Sequence, residues 1–574
     1  MALALPAHFT ALAALPLAII WPLTLLVARR RLILPLMVVI ALAGQLLLLV
    51  DTEVFAQYRF HLSSFIFDLL VHAGSEIFTF GWQTWLVAAV VVIIVTLLEL
   101  GLAEACWRLA QRHRRGLGWV AAGVVATAQL GMHGWHAYAD AAYDRHVTTV
   151  DHALPLYYPA TAKRFFAKHG LVDLQKMRDA RSDEALAKSF SGDSLDYPRA
   201  PLQCTPPQGS RRPNVLFLTI DAWRADTMTP EATPNIARFA QHEDVTRFMH
   251  HLSGGNSTKA GIFSLFYGLP VTYWEAFSAA QQPPVLIEQL QKNGYDIEAL
   301  GSATLASPAF DRTVFSTVDA LRTETPGNEP WQRDARITQD FLGYLDRHDD
   351  DKPFFGFLFF DAVHGYSVPP DFPRPFQPYW NEVNHLKLGP HFDPAPFYNR
   401  YKTAARYVDG LIGQVLDKLK AKGMLDNTIV VITSDHGEEF NDNGRNFWGH
   451  GSNYTDAQVQ VPFVLYWPGH AGRVIEHTTS HMDVAPTFMQ SLFNCQAPVD
   501  DYAIGQSLFS NQAHRWLLIG SYLDYAVRSQ GHIIEAYPTG DYDVFDEHNR
   551  PAPDFHLDPA TSAQIIQAMS RYYH

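Results

Sequence analysis

Cysteine is scarce in this 574-residue chain: Cys106, Cys204 and Cys495 are all there are. They show neither metal-ligand spacing nor a disulfide framework. They read as plain small hydrophobes, with a Cys204–Cys495 pair the one pairing left open. Positive charge is also short, 44 Lys+Arg against 58 Asp+Glu, for a net charge of -14. Residues 1–150 hold 9 basic and 8 acidic side chains, so the rest of the chain carries -15. The basic footprint of a general nucleic-acid binder is therefore missing. Internal repeats and low-complexity tracts are absent, and the first charged residues follow the first apolar run instead of preceding it, which argues against a cleaved signal peptide.

What is present begins with long apolar runs. A bilayer-spanning helix takes about 20 apolar residues, and spans are expected at about 9–28, 32–50, 84–104 and 117–138. Pro16 and Pro22 in the first are tolerated in a membrane helix, and Trp82, Trp85, Trp107, Trp119 and Trp135 stand where an interfacial aromatic belt would. Arg29, Arg30 and Arg31 lie between the first two spans, and Arg108, Arg112, Arg114 and Arg115 between the last two. The positive-inside rule makes both loops cytoplasmic and puts the long C-terminal part outside the cytoplasm. The segment 54–70, apolar but interrupted by Arg59, His61 and Asp68, reads as an interfacial helix. Short helices are expected over 159–170 and 171–190, followed by a Pro-rich linker, Tyr197–Pro213, whose Arg199, Arg211 and Arg212 would meet anionic lipid headgroups or simply be solvated.

From residue 213 strands alternate with helices. Strands are expected at Val215–Ile220, Ile297–Leu300, Phe354–Phe360 and Thr428–Ile432, with helices near Pro234–Gln241, after Thr258, and near Val285–Asn293, Trp331–Arg347 and Tyr398–Lys422. Such alternation implies a mostly parallel sheet with helices on both faces. Reactive groups in such sheets gather at the carboxyl ends of the strands. One buried strand delivers Asp221 there and another delivers Asp435-His436-Gly437. Hard oxygens beside an imidazole suit a divalent metal.

A third segment, Ser253-Gly-Gly-Asn-Ser-Thr258, runs into an apolar helix. Ser257 and Thr258 fit an ordinary N-cap. A helix N-terminus also stabilises an anion, and a metal-bound hydroxyl there would be a nucleophile toward a phosphate ester. His364 and His450, in glycine-flanked loops after sheet elements, suit contact with transferring oxygens, and Asn256 lies in the turn before the nucleophile candidate.

Asp221, Thr258, Asp435-His436-Gly437 and Ser480-His-Met-Asp-Val-Ala-Pro-Thr-Phe-Met489 follow in the order seen in the alkaline phosphatase superfamily, and resemble its sulfatase-like branch over roughly 213–510. The last segment is similar to that branch's D-x-x-P-T helix, and Ile504–Phe509 to the turn after it. The Cys/Ser-x-Pro-Ser-Arg motif of true sulfatases is replaced by Ser257-Thr258-Lys259-Ala260, so sulfate-ester hydrolysis is not expected. Threonine there is similar to lipoteichoic acid synthases and phosphoethanolamine transferases. That resemblance implies one divalent ion, Mn or Mg before Zn or Ca, on Asp221, Thr258, Asp435 and His436, with Thr258 as nucleophile and His364, His450 and Asn256 toward substrate.

Nearly the whole chain resembles the YejM/PbgA family of Gram-negative inner-membrane proteins, through Val50–Phe55, Pro155–Phe166, Lys168–Leu171 and Gly261–Gly268. The resemblance implies a multi-pass inner-membrane protein with a periplasmic α/β domain of alkaline phosphatase type. The expected layout is a transmembrane domain over 1–139, an interfacial linker over 140–212, a sulfatase-like domain over 213–540 and a C-terminal extension over 541–574. Two functions follow from it. One is a metal-dependent phospholipid headgroup transferase or phosphatase in outer-membrane lipid homeostasis. The other is a non-catalytic sensor of lipopolysaccharide that regulates lipid A synthesis through an inner-membrane partner. Two departures stand out: family members usually carry one more N-terminal span, and some have lost the Asp-His-Gly signature that this chain keeps.

Overall fold

The computed structural model describes residues 4–26, 29–58, 61–62, 82–112, 116–142, 154–157, 162–169, 171–172, 195–205, 212–349, 351–537 and 542–573. They belong to two compact units, one built from 1–66 and 80–182, the other mainly from 183–574.

The first unit is helical, with helices Ala4–Leu26, Arg30–Tyr58, Trp82–Arg112 and Gly116–Ala142 where the apolar runs lie. Leu97, Trp119 and Leu130 are exposed, the reverse of a soluble bundle. Two stretches, Arg30–Phe55 and Trp85–Leu109, are long and apolar enough to cross a membrane by length and composition. Their helices are joined by Gln45 to Glu99 and by Arg30 to Glu104, whose other oxygen takes Arg108 Nε at 2.8 Å. The interfacial helix expected over 54–70 does not begin as a separate element, because Val54–Tyr58 completes the helix from Arg30. Residues 63–70 and most of 171–190 lie outside the described residues. Lys163–Lys168 forms the short helix expected within 159–170.

The second unit is built on a seven-stranded sheet in the order Val474–Ile475, Val245–Phe248, Phe463–Tyr466, Thr428–Ser434, Asn214–Ile220, Phe354–Phe360, Asp296–Gly301. Phe463–Tyr466 pairs antiparallel with both neighbours, while the other pairs are parallel. The three central strands are mostly apolar and buried along their whole length, as expected of strands covered on both faces. Alternate residues serve opposite layers. Phe217, Phe355, Phe357, Ile429 and Val431 pack with helices Thr258–Tyr267, Val285–Lys292 and Val484–Ser491. Leu216, Leu218, Leu358, Val430 and Ile432 pack with Pro330–Arg347 and Ala395–Ala421.

The segment similar to D-x-x-P-T is held by its own polar groups. Asp483 accepts from the Ser480 and Gln506 amides at 2.8 Å each, and Thr487 Oγ1 accepts from the Leu508 amide at 2.7 Å, which ties Ile504–Phe509 to this helix. A second, antiparallel sheet of four strands spans Trp516–Asp546, and strand Tyr542–Asp546 pairs with His532–Ala536. Residues on either side of 540 thus share one sheet, against which helix Pro559–Ser570 packs. Cys204 and Cys495 form a disulfide, so the reading of all cysteines as plain hydrophobes is corrected for these two. Sequence offered only three thiols and no spacing, whereas the fold pairs their main chains as an isolated bridge.

Candidate metal and phosphoryl-transfer site

Three adjacent parallel strands end in aspartate. Ile220 is paired with Ser434 on one side and Phe360 on the other, so Asp221, Asp435 and Asp361 each follow the last paired residue of their strands. All three are buried. Ala222, directly after Asp221, has a positive φ of 59°, rare for a residue with a Cβ. Its amide donates to Asp435 Oδ1 at 3.1 Å, and the His436 amide donates to the same oxygen at 2.9 Å. The other oxygen, Asp435 Oδ2, is buried with no hydrogen-bond partner, as is Asp221 Oδ1.

His436 Nε2 lies beside both oxygens, 3.4 Å from Asp221 Oδ1 and 3.5 Å from Asp435 Oδ2. The other ring nitrogen, Nδ1, lies 2.8 Å from the Gly437 carbonyl, to which it must donate. Burial, then the nearby His450 and His364, push the His436 pKa well below its usual value, so the ring is neutral and Nε2 presents a lone pair. Asp221 and Asp435 are both pushed up by burial, and Asp221 further by Asp435 beside it. Two carboxylate oxygens without hydrogen-bond partners and an imidazole lone pair are buried close together, an arrangement in conflict with the charged form of either carboxylate. A cation resolves that conflict, and the donor set fits a divalent ion. The three residues form one possible ligand group; Asp221, Asp361 and His364 form a second.

Thr258 is the first residue of helix Thr258–Tyr267, and its Oγ1 lies 3.3 Å from His436 Nε2. The capping alternative is not what the geometry shows. Ser257 holds the N-cap position but makes no side-chain cap bond, and its hydroxyl is buried and unpaired. Gly261 lets the helix approach: a Cβ there would fall 2.0 Å from the Asp435 carbonyl oxygen. Asn256 donates through Nδ2 to the Asn453 carbonyl at 2.8 Å, and its Oδ1 is buried without a partner.

His364 and His450 face each other, with ring centroids 5.2 Å apart, and His450 lies 4.3 Å from the His436 ring. Each is held at Nδ1 by a carboxylate, His364 by Asp361 at 3.2 Å and His450 by Glu438 at 3.1 Å. Burial opposes a charge on His364, but Asp221, Asp361 and Glu438 outweigh it and raise its pKa to about 10. The arginines proposed for lipid are not gathered here. Arg199 lies 3.9 Å from Asp196, Arg212 donates to the Asn293 carbonyl, and Arg211 is outside the described residues.

Sequence reasoning missed Asp361, Glu438, Arg333 and a buried histidine pair. Asp361 carried the same strand-end signal as Asp221, and Glu438 adjoins Asp-His-Gly. His251, for which sequence gave no role, is fully buried, with Nδ1 2.9 Å from Thr479 Oγ1 and Nε2 2.9 Å from His481 Nδ1; His481 Nε2 lies 2.8 Å from the Ser434 carbonyl.

Residues 213–494 match the family model described as Sulfatase, and residues 1–204 match the model described as Domain of unknown function DUF3413. The inner membrane protein YejM of Salmonella typhimurium is 28% identical over 576 residues, covering 99% of this chain and 90% of that protein. The steryl-sulfatase of Rattus norvegicus is 31% identical over 189 residues, covering 31% of this chain and 29% of that protein. Among solved structures, the integral membrane lipooligosaccharide phosphoethanolamine transferase A of Neisseria meningitidis shares the fold, with TM-score 0.52 and 18% identity over 83% of this chain and 86% of that one.

Proposed function

The chain is a sulfatase-like homologue of the YejM inner membrane proteins, and on that footing we propose that it is a membrane-anchored, metal-dependent phosphoryl transferase acting on phospholipid headgroups. One observation carries the reading: the Thr258 hydroxyl lies 3.3 Å from His436 Nε2, and Asp221 and Asp435 each present a buried, unpaired oxygen beside that nitrogen. A divalent ion, Mn or Mg before Zn or Ca, fits this oxygen-rich donor set. When bound, it supplies Lewis acidity that favours the alkoxide of Thr258 and offsets charge on the phosphoryl oxygens.

The chain's own groups account for the rest. Thr258 Oγ1 attacks the phosphorus of a phosphodiester and gives up its proton. The bond from phosphorus to the diacylglycerol oxygen breaks, and that oxygen leaves with a proton. His364, charged beside Asp361, and His450, oriented by Glu438, hold the non-bridging oxygens. The resulting phosphothreonine ester is then attacked by an acceptor hydroxyl, for transfer, or by water, for hydrolysis, which restores the threonine. In this reading a membrane domain over 1–139 and a linker over 140–212 anchor the chemistry at a lipid surface, and the α/β domain that begins at 213, whose second sheet continues past residue 540, works on the periplasmic side. The Cys204–Cys495 disulfide supports that side, because disulfides persist in oxidising compartments.

The test is Thr258→Ala in complementation of a deletion strain, together with mass analysis of residue 258 after incubation with phosphatidylethanolamine and Mn. A covalent headgroup adduct at Thr258 and loss of rescue by T258A are expected. Full rescue by T258A, with purified protein inert on phosphate esters, would overturn the enzymatic reading and leave the lipopolysaccharide sensor acting through an inner-membrane partner.

A further inference from the structure

Asn256 is fully buried, yet the two polar atoms of its amide are unequally placed. Nδ2 donates to the Asn453 carbonyl at 2.8 Å, while Oδ1 is buried with no hydrogen-bond partner. An acceptor left unpaired in the interior carries the full cost of its desolvation. Turning the amide over gives no relief, because Oδ1 would then face the Asn453 carbonyl oxygen, acceptor against acceptor.

The surroundings hold this orientation in place. The Asn256 main chain is tied on both sides, its N–H donating to the Gly520 carbonyl and its carbonyl accepting from the Gly451 amide, each at 3.0 Å. Asn453 is fixed in turn. Its Nδ2 donates to Glu439 Oε2, and its Oδ1 accepts from the Thr455 amide at 3.0 Å and the Thr455 hydroxyl at 2.8 Å. Glu439 is buried, and the same Oε2 takes a second donor, Gln458 Nε2, at 2.8 Å. One buried carboxylate thus anchors the loop that carries both His450 and the partner of Asn256.

Ser257 is extended, with φ -149° and ψ 153°, so the side chains of Asn256 and Thr258 leave the chain on the same side. The non-bridging oxygens of a phosphodiester are acceptors only, which suits His364 and His450 and excludes Asn256 Oδ1. That oxygen can receive only an N–H or O–H. In an in-line displacement the diacylglycerol oxygen departs opposite Thr258, so the alcohol that stays on phosphorus beside Thr258 is the headgroup.

We propose that Asn256 is a specificity-determining residue whose Oδ1 accepts a hydrogen bond from the retained headgroup, so that the site takes a headgroup bearing an N–H or O–H donor and rejects a quaternary ammonium. The inference rests on the reading of Thr258 as the nucleophile facing the substrate.

A methylation series tests it. Phosphoethanolamine, its N-methyl and N,N-dimethyl derivatives, phosphocholine and glycerol 1-phosphate are titrated by calorimetry into the full-length protein in detergent with saturating Mn. The first three ammonium groups keep at least one N–H, and phosphocholine keeps none. The wild type is expected to bind those three within about threefold of one another and phosphocholine about 10–100-fold more weakly, the penalty of leaving a buried acceptor unpaired. Glycerol 1-phosphate distinguishes the donors: grouping with phosphoethanolamine shows that a hydroxyl serves, and grouping with phosphocholine assigns the contact to an ammonium. N256L, which fills the same space without an acceptor, is expected to bind all five alike. Affinity that falls evenly with each methyl, phosphocholine bound as tightly as phosphoethanolamine, the same break in a folded N256L, or no binding of any probe would each overturn the proposal. If N256L fails to fold, the shape of the wild-type series still decides it. A break at phosphocholine with no adduct on Thr258 would keep this assignment and remove the transferase, whereas an adduct without the break would do the reverse.

Discussion

His481 donates from Nε2 to the Ser434 carbonyl at 2.8 Å, one residue before Asp435. That bond fixes the tautomer, so His481 Nδ1 must accept from His251 Nε2, and His251 Nδ1 accepts from Thr479. Both rings are needed neutral. Burial pushes the His481 pKa down to about 4, and burial followed by His481 pushes His251 well below its usual value.

An acid-dependent loss of stability follows. Above about pH 6.5 both rings are neutral whether the chain is folded or not, and their bonds contribute fully. Below it the unfolded chain takes up protons that the folded chain refuses, so stability falls as pH drops toward 4, by about 1.4 kcal/mol per pH unit for each ring. His514 opposes this in part. Burial disfavours its charge, but Asp483 outweighs burial and raises its pKa, so its contribution is present below about pH 6.5 and lost as pH rises through the raised value. Melting temperatures of wild type and His481→Gln between pH 4 and 7 isolate the first effect. The variant, which keeps a donor for Ser434, should show the shallower slope, and an unchanged slope would refute the assignment.

Divalent metal should raise the melting temperature of the wild type. Saturation at a hundred times the dissociation constant stabilises a folded state by about 2.7 kcal/mol. Asp221→Asn and Asp435→Asn should abolish that gain. Without metal, each should be at least as stable as the wild type, because each removes one member of a buried pair of like charges. Scanning calorimetry with and without Mn checks both halves; a metal-free variant less stable than the wild type by several degrees would contradict the electrostatic account.

Glu438 is expected to matter through His450. Its Oε2 holds His450 Nδ1 at 3.1 Å, and its Oε1 accepts the Tyr366 hydroxyl at 2.8 Å. Glu438→Gln preserves shape but weakens control of the ring, and loss of such an outer partner typically lowers activity about 10–100-fold. Tyr366→Phe should cost less, because the Glu438–His450 contact survives it. Turnover of a phosphodiester at saturating Mn, measured beside the melting temperature, separates this from unfolding.

Thiol counting tests the disulfide. The unfolded, unreduced protein should show one reactive thiol, Cys106, and three after reduction. Cys204→Ser should lower stability by roughly 2–5 kcal/mol. Protease cleavage should rise between 195 and 212, although the bonds from the Asp196 amide to Tyr572 and from the Arg199 amide to Asp501 still hold the segment's start.

The part of the site legible in sequence was the part encoded by adjacent residues. A β-branched or aromatic strand ending in Asp announces Asp221 and Asp435, the imidazole of His436 follows Asp435 directly, and the hydroxyl of Thr258 stands in a short segment of its own, Ser253-Gly-Gly-Asn-Ser-Thr258. Pairings across the chain were not legible. Arg333 reaches Asp361 across 28 residues, and His251 reaches His481 across 230. Nothing in the local pattern specifies either. The central parallel strands were readable as continuous apolar runs, whereas Phe463–Tyr466, four residues long, gives no hint that it runs against its neighbours.

Asp221, Asp361 and Asp435 stand just beyond the last ladder pairs, so the seven-stranded sheet is complete without them. A single nucleotide change converts an aspartate codon to an asparagine codon and would leave both hydrophobic layers untouched. Descendants of such a gene would inherit the architecture whole while losing the chemistry. In this lineage, ancestry and fold can therefore be traced independently of whether any given member still turns over a substrate.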